Sequence, residues 1–216
     1  IKQNTSVFII TFSYLNLKKV KFMTAVILAG GKSSRMGSNK AFLKLKGKTF
    51  IERQIDLLRE MFDEIFISAN TPSEYEFLNL PVFKDIYPDK GPLCGIYTSL
   101  VNSSSTNTFM LACDMPFVES GLIKHLKGFT KEYDVVVPKS ERGLEPLHAF
   151  YSKNCIDPIN RELDSNNLRI ISFFPHVKVK IVELESLTSP DSFKNSIKNL
   201  NTRDEYEGIK NVKSSF

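Results

Sequence analysis

The chain has 216 residues, a length that suits one ordinary α/β domain and leaves too little for two. Apolar residues at 42% and charged residues at 25% are globular proportions, which excludes a disordered chain. Net charge is +5, but the four lysines among residues 1–22 account for all but one unit of it, so the body has no basic excess with which to hold nucleic acid.

Residues 1–22, IKQNTSVFIITFSYLNLKKVKF, place the apolar stretch Val7–Phe12 ahead of its charge, and no small-residue cleavage site follows. They match a secretory signal poorly. They are expected to be a non-core leader, either a floppy extension or an upstream translation artefact before a start at Met23, with residues 23–216 as one domain. No apolar run approaches the roughly 18 residues that cross a bilayer, so no membrane partner is expected. Cys94, Cys113 and Cys155 are odd in number, far apart and without a C-x-x-C pair, which argues against a disulfide framework or structural zinc and for a reducing cytoplasm.

From Met23 onward, strand-like and helix-like segments alternate. Thr24–Leu28 is a β-rich run ending before Gly30-Gly31. Thr49 and Glu52 have the spacing of a capping box, and Ile51, Ile55, Leu58 and Phe62 follow at helical intervals. Glu64–Ala69 and Pro81–Lys84 read as strands two and three, and Asp85–Gly95, with Pro88, Gly91, Pro92 and Gly95, as a loop. Thr108–Ala112 is a buried strand before Cys113-Asp114, with a helix beginning near Val118; Asp134–Val137 is a further strand. Leu147–Tyr151 reads as a strand, Lys153–Leu163 and Leu168–Phe174 as helices, Val177–Val182 as a strand, and Asp204–Ile209 as a final helical turn. This alternation predicts the α/β class: a single three-layer α/β/α domain with a mostly parallel, Rossmann-like sheet.

The most informative stretch is Leu28-Ala29-Gly30-Gly31-Lys32-Ser33-Ser34-Arg35-Met36-Gly37-Ser38-Asn39-Lys40, directly after the first strand. An open α/β sheet presents its ligands at that edge. Adjacent glycines let backbone amides approach an anion, while Arg35 and Lys40 add fixed positive charge, so the segment describes a triphosphate cradle. Its spacing fits neither G-x-G-x-x-G nor G-x-x-x-x-G-K-[ST], because the glycines are adjacent and Gly37 precedes Ser38. Asp114 ends a buried strand, where it either holds Mg²⁺ beside phosphates or caps the following helix. Asp85 is either a turn residue or a nucleotide contact. His125, His148 and His176 lack metal-ligand spacing, His125 is expected on a helix surface, and no G-x-S-x-G elbow occurs.

LAGGKSSRMGSNK resembles the signature of the molybdenum cofactor guanylyltransferases, nucleotidyltransferases of glycosyltransferase-A-like fold (the nucleotide-diphospho-sugar transferase type). The similarity continues through Asp85, Gly91-Pro92-Leu93-Cys94-Gly95-Ile96, Cys113-Asp114-Met115-Pro116, Glu145-Pro146-Leu147 and Asn199-x-Asn201-Thr202. Arg203 stands where family members usually carry proline. The loop signature is shared with cytidylyltransferases, whereas GPLCGI and NLNT move the match toward the guanylyl branch.

The resemblance implies transfer of GMP from GTP to molybdopterin, or its molybdenum-loaded form, with release of pyrophosphate. Leu28, Ala29, Gly30 and Gly31 would hold GTP; Arg35 and Lys40 would offset its phosphates; Asp114 would bind both GTP and Mg²⁺. Asp85 and the second-strand end, Ser68 or Asn70, would touch the nucleotide. Glu145, Asn199 and Asn201 are placed on the pterin side, although Glu145 could instead pair with Arg142 and the asparagines could form an Asx-type turn. The acceptor phosphate is already an anion, so no general base is needed. The expected partners are the two substrates, with transient contacts to other cofactor-biosynthesis proteins or recipient apoenzymes, and a monomer is expected. The competing readings are a cytidylyltransferase or other nucleotidyltransferase of the same fold, and a non-catalytic nucleotide-binding module.

Overall fold

The structure is a computed structural model that describes residues 22–30, 39–187, 190–200 and 205–208. The strand β1 (Thr24–Leu28) is followed by a hairpin of β2 (Lys44–Leu45) and β3 (Lys48–Thr49), then by α1 (Phe50–Arg59) and β4 (Glu64–Ser68). The capping box is formed: Thr49 accepts from the Glu52 backbone, and the Glu52 carboxylate accepts from the Thr49 N–H at 2.7 Å. β5 (Val82–Phe83), α2 (Gly91–Asn102), β6 (Asn107–Ala112) and α3 (Ser120–Lys127) come next. The last third holds β7 (Val135–Ser140), β8 (Gly143–Leu144), β9 (His148–Ser152), α4 (Ile156–Asp164), β10 (Val179–Glu183) and α5 (Pro190–Ser196).

The main sheet runs β10-β7-β9-β6-β1-β4-β5, with β8 paired to β7. β1 is parallel to both β4 and β6, and β9 lies antiparallel between β6 and β7. The mostly parallel expectation therefore holds, with β9 reversed inside the sheet and the short β8 reversed against β7. Alternation along each strand splits the core into two layers. Ala25, Ile27, Phe109 and Leu111 pack with Ile51, Ile55 and Leu58 of α1 and with Leu122, Ile123 and Leu126 of α3 on one face. Val26, Phe66, Met110 and Tyr151 pack with Leu93, Ile96 and Leu100 of α2 and with Ile159 and Leu163 of α4 on the other. Three layers result. A small third cluster joins Leu45 and Phe50 to Leu200 and Tyr206, whose hydroxyl donates to the Lys44 carbonyl at 2.8 Å.

Several expected boundaries are corrected. The loop expected through Gly95 ends at Gly91, where α2 begins with Pro92 in its first turn. Proline lacks the N–H that a first turn leaves unbonded anyway, so a residue that punctuates a loop can equally open a helix. The helix expected over Leu168–Phe174 is a run of 3-10 turns, Ile170–His176, with Pro175 inside it. α3 starts at Ser120 after Glu119, so Asp114 caps no helix. The final turn is seen at residues 205–208, and the leader residues 1–21 lie outside the described residues.

Candidate active site

β1 is the point where chain order reverses, with β4 on one side and β6 on the other. Such a switch point opens a crevice beyond the strand ends. Register brings Leu28 level with Ser68 and Ala112, and the Ala29 N–H bonds the Ser68 carbonyl at 2.9 Å. The crevice is a cavity of about 520 Å³. Leu28, Ala29, Gly30, Lys40, Ser68, Asn70, Asp85 and Asp114 all line it. These are eight of the expected nucleotide residues, seven at or just beyond the ends of four strands and Lys40 from a 3-10 turn. Gly31 and Arg35 lie outside the described residues.

At one end, Lys40 Nζ lies 3.3 Å from Asp114 Oδ2, with about a fifth of each side chain exposed. Lys40 opens a short 3-10 turn capped by Asn39, whose Oδ1 accepts from the Ala41 N–H at 3.1 Å. Asn39 is held in turn by Tyr75, which accepts from its amide at 2.7 Å and donates to the Ala29 carbonyl at 3.1 Å. Burial pushes the Tyr75 phenol up to about 12, which keeps it a neutral donor. Gln54 of α1 supports Asp114 from below: its amide donates to the carbonyls of Ala112 and Met115, both at 2.9 Å. Neither Tyr75 nor Gln54 carries a sequence signal beyond its place in an apolar pattern. Their importance comes from contacts 46 and 58 residues away along the chain.

At the other end, the Asn70 amide donates to Asp85 Oδ2 at 2.8 Å, and its Oδ1 accepts from the Asp85 N–H at 3.2 Å. Both candidates at the end of β4 line the cavity: Ser68 is buried in its wall, and Asn70 aims the Asp85 carboxylate. Burial raises the Asp85 pKa, with the Asn70 bond opposing it. α2 packs against both strand ends here; a Cβ on Gly95 would reach van der Waals contact with Leu28 Cδ2 at 3.4 Å and Asp85 Oδ1 at 3.7 Å. Gly91, at φ +66°, lets the chain turn from Asp89 into α2 with both residues on the cavity wall.

Asp89, Gly91, Pro92, Cys113 and Leu147 also line the cavity, although sequence reasoning did not single them out as site residues. Burial, reinforced by Asp114, pushes the Cys113 thiol up to about 12, so it offers no thiolate nucleophile.

The acceptor-side residues divide. Glu145 is absent from this cavity; it lines a separate one of about 240 Å³ between the β7–β8 hairpin and α5. Its side-chain partner is Ser140, whose hydroxyl donates to Oε1 at 3.2 Å, while Arg142 acts on it as a nearby positive charge. Asn199 adjoins Leu200, whose N–H bonds the Asp114 carbonyl at 3.0 Å. Its Oδ1 is buried with no hydrogen-bond partner among the described residues. Asn201 lies outside them. His148 is fully buried on β9, edge-on to Phe109, and touches neither cavity; His125 is exposed on α3.

A divalent ion can be tested against this donor set. Among the described residues no three His, Cys, Asp or Glu side chains cluster, so a protein-only cage is ruled out there. Asp114 alone suits Mg²⁺, which commonly takes one or two carboxylates and completes its shell with phosphate oxygens and water.

Residues 25–177 match the MobA-like NTP transferase domain family. The chain belongs to this family. A Clostridium perfringens relative named "Probable molybdenum cofactor guanylyltransferase" is 42% identical over 190 residues, covering 86% of this chain and 95% of the relative. The molybdenum cofactor guanylyltransferase of Desulfosudis oleivorans is 36% identical, covering 86% and 93%. Among solved structures, molybdopterin-guanine dinucleotide biosynthesis protein A from Archaeoglobus fulgidus superposes with a TM-score of 0.75 at 25% identity, covering 87% of this chain and 97% of that one. This MobA-like chain is thus a nucleotidyltransferase of molybdenum cofactor biosynthesis, with the α/β fold expected of it. No helix among its described residues is long and apolar enough to cross a membrane.

Proposed function

We propose that the chain transfers GMP from GTP to molybdopterin, forming the guanine dinucleotide of the cofactor and releasing pyrophosphate. The observation that carries this reading is the two-ended cavity, with Asn70–Asp85 at one end and Lys40–Asp114 at the other. β5, β4, β1 and β6 are successive neighbours, so Asp85 and Asp114 stand roughly 14 Å apart by interstrand spacing. That separation allows a base to sit at one end and its phosphates at the other.

Base choice follows from the Asp85 carboxylate. An ionised carboxylate only accepts hydrogen bonds. Guanine offers two adjacent donors, N1–H and the 2-amino group, whereas cytosine sets an acceptor, N3, beside its 4-amino group. Asp85, aimed by Asn70, therefore complements guanine and opposes cytosine. Lys40 and the Arg35 of the glycine-rich loop offset the triphosphate. Asp114 would hold Mg²⁺, which when bound supplies positive charge to the phosphates. An acceptor phosphate oxygen forms a new bond to the α-phosphorus as the bond to the bridging oxygen of pyrophosphate breaks. The nucleophile enters as an anion, in keeping with a cavity lined, among the described residues, by a high-pKa thiol and no histidine. Three free cysteines suit a reducing cytoplasm.

Calorimetry with GTP, CTP and ATP in magnesium, beside pyrophosphate release from GTP plus molybdopterin, tests the reading. GTP is expected to bind at least tenfold more tightly than CTP and to be the substrate consumed. Equal or tighter CTP binding would overturn the assignment of the base.

A further inference from the structure

Asp85 lies just beyond β5, in the stretch Lys84 to Lys90 that belongs to no helix or strand, so no ladder of backbone bonds holds it. Its conformation rests on side chains instead. Three successive backbone N–H groups each donate to a side chain from elsewhere in the chain: Asp85 to Asn70 Oδ1 at 3.2 Å, Ile86 to Thr98 Oγ1 at 2.9 Å and Tyr87 to Cys94 Sγ at 3.4 Å. Cys94 and Thr98 are one turn apart on the buried face of α2, with Sγ and Oγ1 3.8 Å from each other. The far end of the segment is tied down as well. The Tyr87 ring stacks on Tyr97 with centroids 5.7 Å apart, and its hydroxyl donates to Asn160 Oδ1 of α4 at 3.2 Å.

The Ile86 bond is the one that bears on the carboxylate. A peptide unit is planar, so holding its N–H fixes the whole plane between two Cα atoms. Asn70 fixes the plane that enters Asp85, and Thr98 fixes the plane that leaves it. With both planes set, the Cα–Cβ bond of Asp85 has one direction, and the Asn70 amide meets Oδ2 at its end at 2.8 Å. Thr98 is fully buried, where a hydroxyl without a partner is costly, and the Ile86 N–H is its partner. It is not among the residues that line the nucleotide cavity, so its influence there passes through Asp85.

We propose that Thr98 is a positioning residue for base selection, which aims the Asp85 carboxylate at the nucleotide base by holding the Ile86 N–H. The inference rests on the guanylyl-transfer reading, in which Asp85 accepts from guanine N1–H and the 2-amino group together. Hydrogen bonds weaken steeply as they bend, so a carboxylate meets two donors of one base only over a narrow range of directions. A tilt of Asp85 therefore costs guanine more than cytosine, which offers that carboxylate a single donor.

Thr98→Val keeps the size and branching of the side chain and replaces the accepting oxygen by a methyl group, so the Ile86 N–H must turn to water. Calorimetry of the full chain with GTP and CTP in magnesium is expected to show GTP weakened by about fivefold or more and CTP unchanged within about twofold. Thr98→Ser keeps the oxygen and loses the methyl group, and it is expected to restore the parental ratio of the two affinities. A role in packing alone would give the opposite order, with valine harmless and serine harmful. In turnover, Thr98→Val is expected to raise KM for GTP in the same proportion and to spare kcat, because Lys40 and Asp114 stand at the far end of the cavity. An unchanged ratio in Thr98→Val, or a ratio that Thr98→Ser lowers as far, overturns the assignment. Should Thr98→Val not fold, Cys94→Ala, which frees the next N–H of the same segment, is expected to lower the ratio, and no change there overturns the assignment in its place. A preference of the unaltered chain for CTP would instead overturn the guanylyl-transfer reading.

Discussion

His148 provides a quantitative test of the fold beside the site. It is fully buried at the start of β9, its ring 5.1 Å from that of Phe109 and edge-on to it, and neither ring nitrogen has a hydrogen-bond partner among the described residues. Burial lowers its pKa to about 3 from the ordinary 6.5. The unfolded chain therefore binds this proton first as the pH drops. The stability tied to neutral His148 is complete above about pH 6.5 and is lost progressively toward pH 3. At about 1.36 kcal/mol per pH unit, the loss is about 1.4 kcal/mol at pH 5.5 and about 2.7 kcal/mol at pH 4.5. His148→Leu replaces the ring by an apolar side chain of similar size and removes two unsatisfied polar atoms. Urea unfolding of both proteins at pH 7.0, 5.5 and 4.5 isolates this effect, because the lowered carboxylates Glu64 and Asp134 titrate in both. The variant is expected to gain on its parent by these amounts as the pH falls, or roughly 5–11 °C in Tm at pH 4.5 for a chain of this size. Parallel pH curves would refute the reasoning and show that His148 finds a partner or a proton in the folded state. The same burial keeps His148 neutral throughout the physiological range, so it contributes no inflection to the kcat profile above pH 5.

Asp114→Asn keeps the shape of the side chain and removes its charge; turnover is expected to fall about 10³-fold with little change in Tm, and chelation of divalent metal should silence the parent but scarcely alter the variant. Gln54→Ala takes the amide away from the Met115 carbonyl and from that of Ala112, which keeps the Met115 N–H at 3.3 Å, so a loss of about 1–3 kcal/mol in urea unfolding is expected, together with a lower kcat as the Asp114 turn loosens. Asp85→Asn turns one guanine-facing acceptor into a donor and is expected to weaken GTP about 10–100-fold in calorimetry while narrowing the gap to CTP. Tyr75→Phe removes the bond to Ala29 and the support of Asn39; a stability loss of about 1 kcal/mol is expected, with KM for GTP rising more than kcat falls.

What was legible in the chain itself was local. The apolar run Thr24–Leu28, the Thr49–Glu52 capping box and the buried strand before Asp114 follow from side-chain periodicity and short-range hydrogen bonds, which act over a few residues. They were enough to define the α/β class, to place Asp85 and Asp114 just beyond strand ends and to put Lys40 in the loop that follows the first strand. Strand direction was not legible, because β9 reads like any other β-rich run and only its pairing with β6 and β7 shows that it is reversed. Pro92 and Gly91 were misread for a related reason: a proline or glycine breaks or opens a helix depending on what its turn packs against. The grip of Gln54 on the Asp114 turn, the Asn70–Asp85 clamp and the assignment of Glu145 to a second cavity each join residues well separated along the chain. Such contacts are set by how the layers stack and where the strands end, so tertiary packing alone decided which carboxylate lines the crevice beyond the strand ends and which lines the separate, smaller cavity.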